Sequence, residues 1–204
     1  MANRFPDGAK IVAANHPSTT DPFFVAAMVQ EQSYILINEL LFQVPILGEY
    51  LRRSGHIPVQ AGRGQEAIDS ALDHLKAGHT IVIFPEGDLS PFNGGFHKSR
   101  TGVARLAIAS GAPVIPAGIH LDREHIHLVR STVKGQVEYG RWYLRGPYRI
   151  TVGRPMWFSG DFEDRTYVRT VADQVMDKII LLAHQSEKFI NRSSWNPIGA
   201  LEIP

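Results

Sequence analysis

Two side chains near the N-terminus have the residue types of a proton-transfer pair. In the stretch AANHPSTTDPFF, Ala13 to Phe24, a histidine and an aspartate stand five positions apart, His16 and Asp21. An imidazole has an ordinary pKa of about 6.5, so at neutral pH it can accept a proton from an attacking group. It needs a partner on its second ring nitrogen to fix the tautomer and stabilise the imidazolium that forms. A carboxylate folded back across a turn can be that partner. The two residues also have a plainer explanation. Asp21 precedes Pro22 and suits a helix N-cap, with proline at the first helical position, and His16 is then a loop histidine beside it. The spacing alone leaves both explanations open.

Three further stretches contain candidate residues. In FPEGDLS, Phe84 to Ser90, Glu86 follows an apolar run in a Pro-Glu-Gly turn. Gly87 permits positive φ or close approach of a ligand, and the turn reads equally as a tight exposed one. In GHIPVQAGRG, Gly55 to Gly64, Arg63 lies between two glycines beyond a short strand. A guanidinium there could grip a phosphate bidentately, or simply be an exposed loop arginine. Val114 to Ile119, VIPAGI, is by itself only a buried strand containing a proline. Beyond it, His120, His125 and His127 lie close together, and His-x-His on a strand puts two rings on one face, as a metal site requires. No carboxylate pattern completes such a site, so no metal is expected.

The elements that must position these residues follow from periodicity. Lys10 to Ala14, Ser33 to Asn38, Thr80 to Phe84 and the run APVIPAGI are short apolar segments that read as buried strands, with HIPVQ a further short one. Between them, helices are expected over Pro22 to Gln30, Glu66 to Ala77 and Ser99 to Ser110, the last two ended by Gly78 and Gly111. ELLFQVPILGEYLRRSG reads as a helical stretch interrupted by Pro45 and closed by Gly55. Strands with uninterrupted apolar runs alternating with helices predict an α/β fold, a single domain whose largely parallel or mixed central sheet is flanked by helices. After His120 polar and aromatic residues dominate as far as Gly146. YRITVGRP is then one more strand and Asp164 to Lys188 a long amphipathic helix. One domain is expected over 1–190, with an aperiodic tail over 191–204. His16 and Glu86 both fall at the C-terminal ends of buried strands, the rim where open α/β sheets bind ligands.

Composition removes other classes. The 204 residues carry a net charge of +1, so a nucleic-acid surface built on bulk positive charge is not expected. The chain has no cysteine, which excludes disulfides and thiolate catalysis and suits a reducing cytoplasm. No apolar run approaches the roughly 18 residues of a membrane span.

Taken together and in order, the four stretches resemble the glycerolipid acyltransferase family, whose bacterial members acylate lysophosphatidic acid. Its first block, N-H-x4-D, is matched by Asn15, His16 and Asp21. Its second, a glycine, a short apolar strand and an arginine, is approximated by Gly55 to Arg63. Its third, F-P-E-G-T-R-S, is matched by Phe84 to Gly87 and Ser90, and its fourth, an apolar V-I-P strand, by Val114 to Pro116. The resemblance covers about residues 9 to 160. Two departures stand out. Asp88-Leu89 replaces Thr-Arg in the third block, so the arginine that usually helps hold the acceptor's phosphate is missing. Ala61 and Gly62 separate Gln60 from Arg63 in the second. Arg63, Lys98 and Arg100 are candidate replacements. Many relatives carry an N-terminal helical membrane anchor, and with fifteen residues before His16 none is expected here.

The resemblance implies transfer of a fatty acyl group from a thioester, acyl-CoA or acyl carrier protein, to the hydroxyl of a lysophospholipid such as 1-acylglycerol 3-phosphate. His16 would be the general base and Asp21 its orienting partner. Glu86 and Gly87 would position the acceptor, and Arg63 and Arg100 would bind its phosphate. No cofactor is implied beyond the donor substrate. No serine lies in a G-x-S-x-G turn, so direct attack without an acyl-enzyme is expected. The loss of the third-block arginine favours an alternative, acylation of a non-phosphorylated glycolipid or aminolipid. A non-catalytic lipid-binding relative is the third reading. The expected location is the cytoplasm, peripherally at the inner face of the cell membrane. Leu40 to Arg53 combines apolar and basic residues suited to docking on the membrane surface, or else simply covers the sheet.

Overall fold

In the computed structural model, residues 5–29, 31–133 and 136–194 are described. The central sheet has six strands in the order β3-β2-β4-β1-β5-β8. They are β1 (Lys10–Ala14), β2 (Ser33–Asn38), β3 (Ile57–Val59), β4 (Thr80–Ile83), β5 (Val114–Leu121) and β8 (Tyr148–Val152). The first five run parallel, and β8 pairs antiparallel with β5. The sheet is therefore mixed. β1 is buried along its whole length, as expected of a strand covered on both faces.

Alternation along the strands assigns the two faces. Ile11, Ala13, Ile81, Ile83 and Val114 pack with α3 (Gly64–Lys76), α4 (Gly102–Ser110) and α5 (Arg165–Ser194). Val12, Ala14, Val82, Phe84 and Ile115 pack on the other side with Val25 and Val29 of α1 (Asp21–Val29). α5 lies so close to β5 that a Cβ on Gly118 would come within 2.0 Å of the Ala183 nitrogen, so this crossing admits only glycine.

Several boundaries differ from those that periodicity gives. The stretch after β2 splits into a 3-10 turn, Glu39–Gln43, and a short helix α2, Leu47–Arg53, because Pro45 supplies no amide hydrogen. α4 starts at Gly102 rather than Ser99. Ser99 is buried and tied instead to α5, donating to Ala172 O at 3.1 Å and receiving Arg169 Nη2 at 2.6 Å. α5 runs on to Ser194, past the Lys188 end that its apolar face suggests. The rest of the expected tail, 195–204, lies outside the described residues. The segment from Leu121 to Gly146, dominated by polar and aromatic residues and given no element by periodicity, contains a two-stranded hairpin, β6 (Ile126–Val133) and β7 (Gln136–Tyr143), separate from the main sheet.

Candidate active site

β1 ends at Ala14, and the next two residues leave in opposite directions. The Asn15 amide turns to β5, donating to Ile119 O at 2.9 Å and accepting from Ile119 N at 2.7 Å. This closes the ladder where the β1 backbone can no longer do so. His16 keeps the parity of Val12 and Ala14 and stays on the α1 side of the sheet, stacked on Phe84 with ring centroids 4.2 Å apart. About 18% of its side chain is exposed, so a substrate can reach the ring.

His16 Nδ1 lies 3.0 Å from Asp21 Oδ2. The Asp21 side chain is wholly buried. Its Oδ2 also accepts Ser18 N at 2.7 Å, and its Oδ1 accepts Ser18 Oγ at 2.6 Å and the Tyr148 hydroxyl at 2.9 Å. Asp21 opens α1, yet its carboxylate bonds run back to the turn and across to β8. The cap explanation therefore does not account for how this carboxylate is used. Because a carboxylate only accepts, the imidazole nitrogen facing it carries the hydrogen, which makes Nε2 the acceptor, with no hydrogen-bond partner among the described residues. Burial, with the Asp21 charge beside it, pushes the Tyr148 hydroxyl above its ordinary pKa, so it remains a neutral donor.

Glu86, expected to position the acceptor, faces inward in the structure. It is 3% exposed, and both of its oxygens are engaged within the protein. Oε1 accepts His16 N at 3.0 Å and Ser90 Oγ at 2.6 Å, and Oε2 accepts His97 N at 2.8 Å. Ser90 N donates to His16 O at 2.8 Å. Glu86 thus pins the His16 backbone to the loop that follows β4. At Gly87 φ is +70°, and an added Cβ would lie 2.2 Å from Arg100 Nε. The positive φ favours glycine there, and the Arg100 guanidinium packs over the turn.

His16, Asp21, Glu86, Gly87 and Arg100 are thus brought together. Arg63 stands apart. It immediately precedes α3, with its side chain 62% exposed and 3.8 Å from Glu66, and no hydrogen bond or ion pair among the described residues links it to the His16 group. Lys98 is exposed. His125 packs edge-on to Tyr143 and lies 3.8 Å from Asp122. Among the described residues no three His, Asp or Glu side chains converge as a metal site needs. Sequence reasoning missed Ser18 and Tyr148. Ser18 is inside the N-H-x4-D block, where a hydroxyl three residues before the aspartate is a legible signal. Tyr148 lies 127 residues from Asp21 on an antiparallel strand and gives no local signal.

A model of the family described as Acyltransferase matches residues 2–120, more than half of the chain. The chain belongs to the acyltransferase family. The matched segment of this acyltransferase contains His16, Asp21, Arg63, Glu86, Gly87 and Arg100, whereas Tyr148 and the β6–β7 hairpin lie beyond it. Over 115 residues the chain is 31% identical to a 1-acyl-sn-glycerol-3-phosphate acyltransferase of Pseudomonas aeruginosa, covering 54% of this chain and 44% of that one. Over an alignment of 209 residues it is 25% identical to an uncharacterized protein of Mycobacterium tuberculosis, covering 85% and 56%. The crystal structure of the 1-acyl-sn-glycerophosphate acyltransferase PlsC from Thermotoga maritima matches with a TM-score of 0.63 at 25% identity, covering 96% of this chain and 71% of that one. The chain spans about half the length of the curated relatives it matches.

Proposed function

We propose that this acyltransferase moves a fatty acyl group from a thioester donor, acyl-CoA or acyl carrier protein, to the hydroxyl of a lysophospholipid such as 1-acylglycerol 3-phosphate. The observation that carries the reading is the His16–Asp21 pair, with one imidazole nitrogen held by a buried carboxylate and the other without a hydrogen-bond partner among the described residues. The acceptors named for the Pseudomonas and Thermotoga proteins support the substrate class. An alcohol's pKa lies far above 7, so its proton must leave as it attacks. His16 Nε2 takes that proton while the alcohol oxygen bonds to the thioester carbonyl carbon. The tetrahedral intermediate then collapses with loss of the thiolate, which recovers the proton from the imidazolium. Asp21, held by Ser18 and Tyr148, stabilises the imidazolium between these steps. The chain contains no cysteine, and the direct route needs no covalent intermediate. A non-phosphorylated acceptor is the second reading, and the exposed Asp88 in the loop after β4 favours it.

Among the described residues no helix is long and apolar enough to cross a membrane. In this reading the surface of the domain meets the membrane that holds the lipid acceptor. Residues 40–53 supply a suitable patch, because Gly48 and Leu51 pack inward while Ile46 and Tyr50 stay exposed beside Arg53. Ile46 is 89% exposed on a backbone with φ of +66°, an unfavourable conformation for a β-branched residue.

The test is an acyl-transfer assay with phosphorylated and unphosphorylated lyso-acceptors, read by mass spectrometry, on the native chain and on His16→Ala. The expected result is transfer to a lysophospholipid, with turnover about 10² to 10⁴ lower in the variant. Undiminished turnover in a folded His16→Ala protein rejects the mechanism. Transfer only to unphosphorylated acceptors selects the second reading.

A further inference from the structure

Two arginines that lie outside the matched motifs grip the loop after β4, and neither makes an ion pair among the described residues. Arg141, on β7, is half-buried. It donates through Nη1 to Ser90 O, and its guanidinium lies 5.3 Å from the centroid of the Phe92 ring. Arg123 donates through Nη1 to Phe92 O at 3.0 Å and packs over Gly94, where a Cβ would lie 3.0 Å from that nitrogen. Two guanidinium groups therefore bracket one residue. The arginine–carboxylate pairs among the described residues involve Arg52, Arg53, Arg63 and Arg169, not these two. Nearby carboxylates are turned elsewhere. Glu86 holds His16, Ser90 and His97, Asp88 accepts Leu89 N at 2.7 Å, and Asp122 accepts Glu124 N at 3.1 Å.

Arg141 is also fixed to the block that contains the base. Thr19 N donates to Arg141 O at 2.8 Å, Arg141 N to Thr19 Oγ1 at 2.9 Å, and Tyr143 N to Thr20 Oγ1 at 2.8 Å. Ser90, whose carbonyl Arg141 holds, donates its own N–H to His16 O. The hairpin thus sets the Arg141 backbone against the turn joining His16 to Asp21, and its guanidinium against Ser90, the residue that is bonded to His16 O. Both guanidinium groups meet Phe92 with no ion-pair partner among the described residues, and the planar forks of arginine fit the oxygens of a phosphate.

We propose that Arg141 and Arg123 form an anion site, beside His16 and bracketing Phe92, that binds the phosphate ester of a substrate. The proposal rests on the acyl-transfer reading only for which substrate carries that group. A phosphorylated acceptor and a phosphopantetheine thioester donor share the same chemistry.

The experiment has a binding arm and a kinetic arm. Calorimetry measures glycerol 3-phosphate, and separately coenzyme A, binding to the native chain, Arg141→Ala, Arg141→Lys and Arg123→Ala. The expected result is that one of the two probes binds the native chain and weakens about 10- to 100-fold in Arg141→Ala, the size expected for losing charge-assisted hydrogen bonds, and less in Arg141→Lys. The kinetic arm compares 1-acylglycerol 3-phosphate with 1-acylglycerol, and acyl-CoA with an acyl N-acetylcysteamine thioester. KM rises for whichever substrate bears the phosphate and holds for its unphosphorylated counterpart, which identifies the source. Two outcomes overturn the proposal: both probes binding Arg141→Ala as they bind the native chain, or a loss equal for every substrate, which makes Arg141 a brace for the loop. Should Arg141→Ala fail to fold, Arg123→Ala leaves the Ser90 and Thr19 bonds in place and is judged by the same outcomes. If the native chain transfers no acyl group, the calorimetry still decides the site while the acyl-transfer reading falls.

Discussion

The Asp21 carboxylate and the Arg63 guanidinium belong to the same rim of the sheet and are treated in opposite ways. Asp21 is wholly buried and accepts from His16, twice from Ser18, and from Tyr148. Arg63 is 62% exposed, with a single ion pair to Glu66 at 3.8 Å. A buried charge is tolerable only when its hydrogen bonds are satisfied, so every partner of Asp21 also fixes its position. An exposed pair contributes about 0 to 1 kcal/mol and fixes little. The fold has therefore concentrated its geometric precision on the proton-transfer pair and left the second-block arginine largely unconstrained.

The sharpest way to break this contrast is Asp21→Asn. It preserves shape but turns an amide N–H toward donors and removes the charge opposite the imidazolium. A loss of about 10² to 10³ in kcat is expected, within the range seen for general-base contributions, with far-ultraviolet circular dichroism retained. Full activity would make the aspartate merely structural. Tyr148→Phe sharpens the picture by removing one of the carboxylate's donors while Ser18 remains. Stopped assays should show kcat about tenfold lower at nearly constant KM, since a hydrogen bond to a charged group is worth about 1.5 to 3 kcal/mol. A change confined to KM would place Tyr148 against the substrate instead. Arg63→Ala is expected to change kcat/KM by less than about threefold. A tenfold loss would bring Arg63 into the site and dissolve the comparison.

Legibility in the sequence followed burial. Strands β1, β2, β4 and β5 are covered on both faces, so each is a plain apolar run, and the alternation with helices gave the α/β class. The hairpin β6–β7 was not readable. Leu128, Val129, Val137 and Tyr139 are all exposed, and the alternation begun by Gln136, Val137, Glu138 and Tyr139 breaks at Gly140 and Arg141, so neither strand carries a sustained apolar/polar pattern. The functional residues divide in the same way. His16, Asp21, Glu86 and Gly87 sit in short local patterns whose types and spacing are visible. Arg141 and Tyr148 act on that same turn from residues more than a hundred positions away.

The sequence by itself determined the fold class, the family resemblance and the identity of the histidine–aspartate pair, because apolar runs, helical periodicity and motif spacing are local properties of a chain. Only the tertiary structure decided that Asp21 faces His16 rather than capping α1, that Glu86 braces the His16 backbone, and that the hairpin delivers Arg141 to the same loop. Each of these is a contact between segments whose separation along the chain says nothing about their distance in space. Such contacts are set by the register of β5 against β8 and by the pairing of Thr19 and Thr20 with β7.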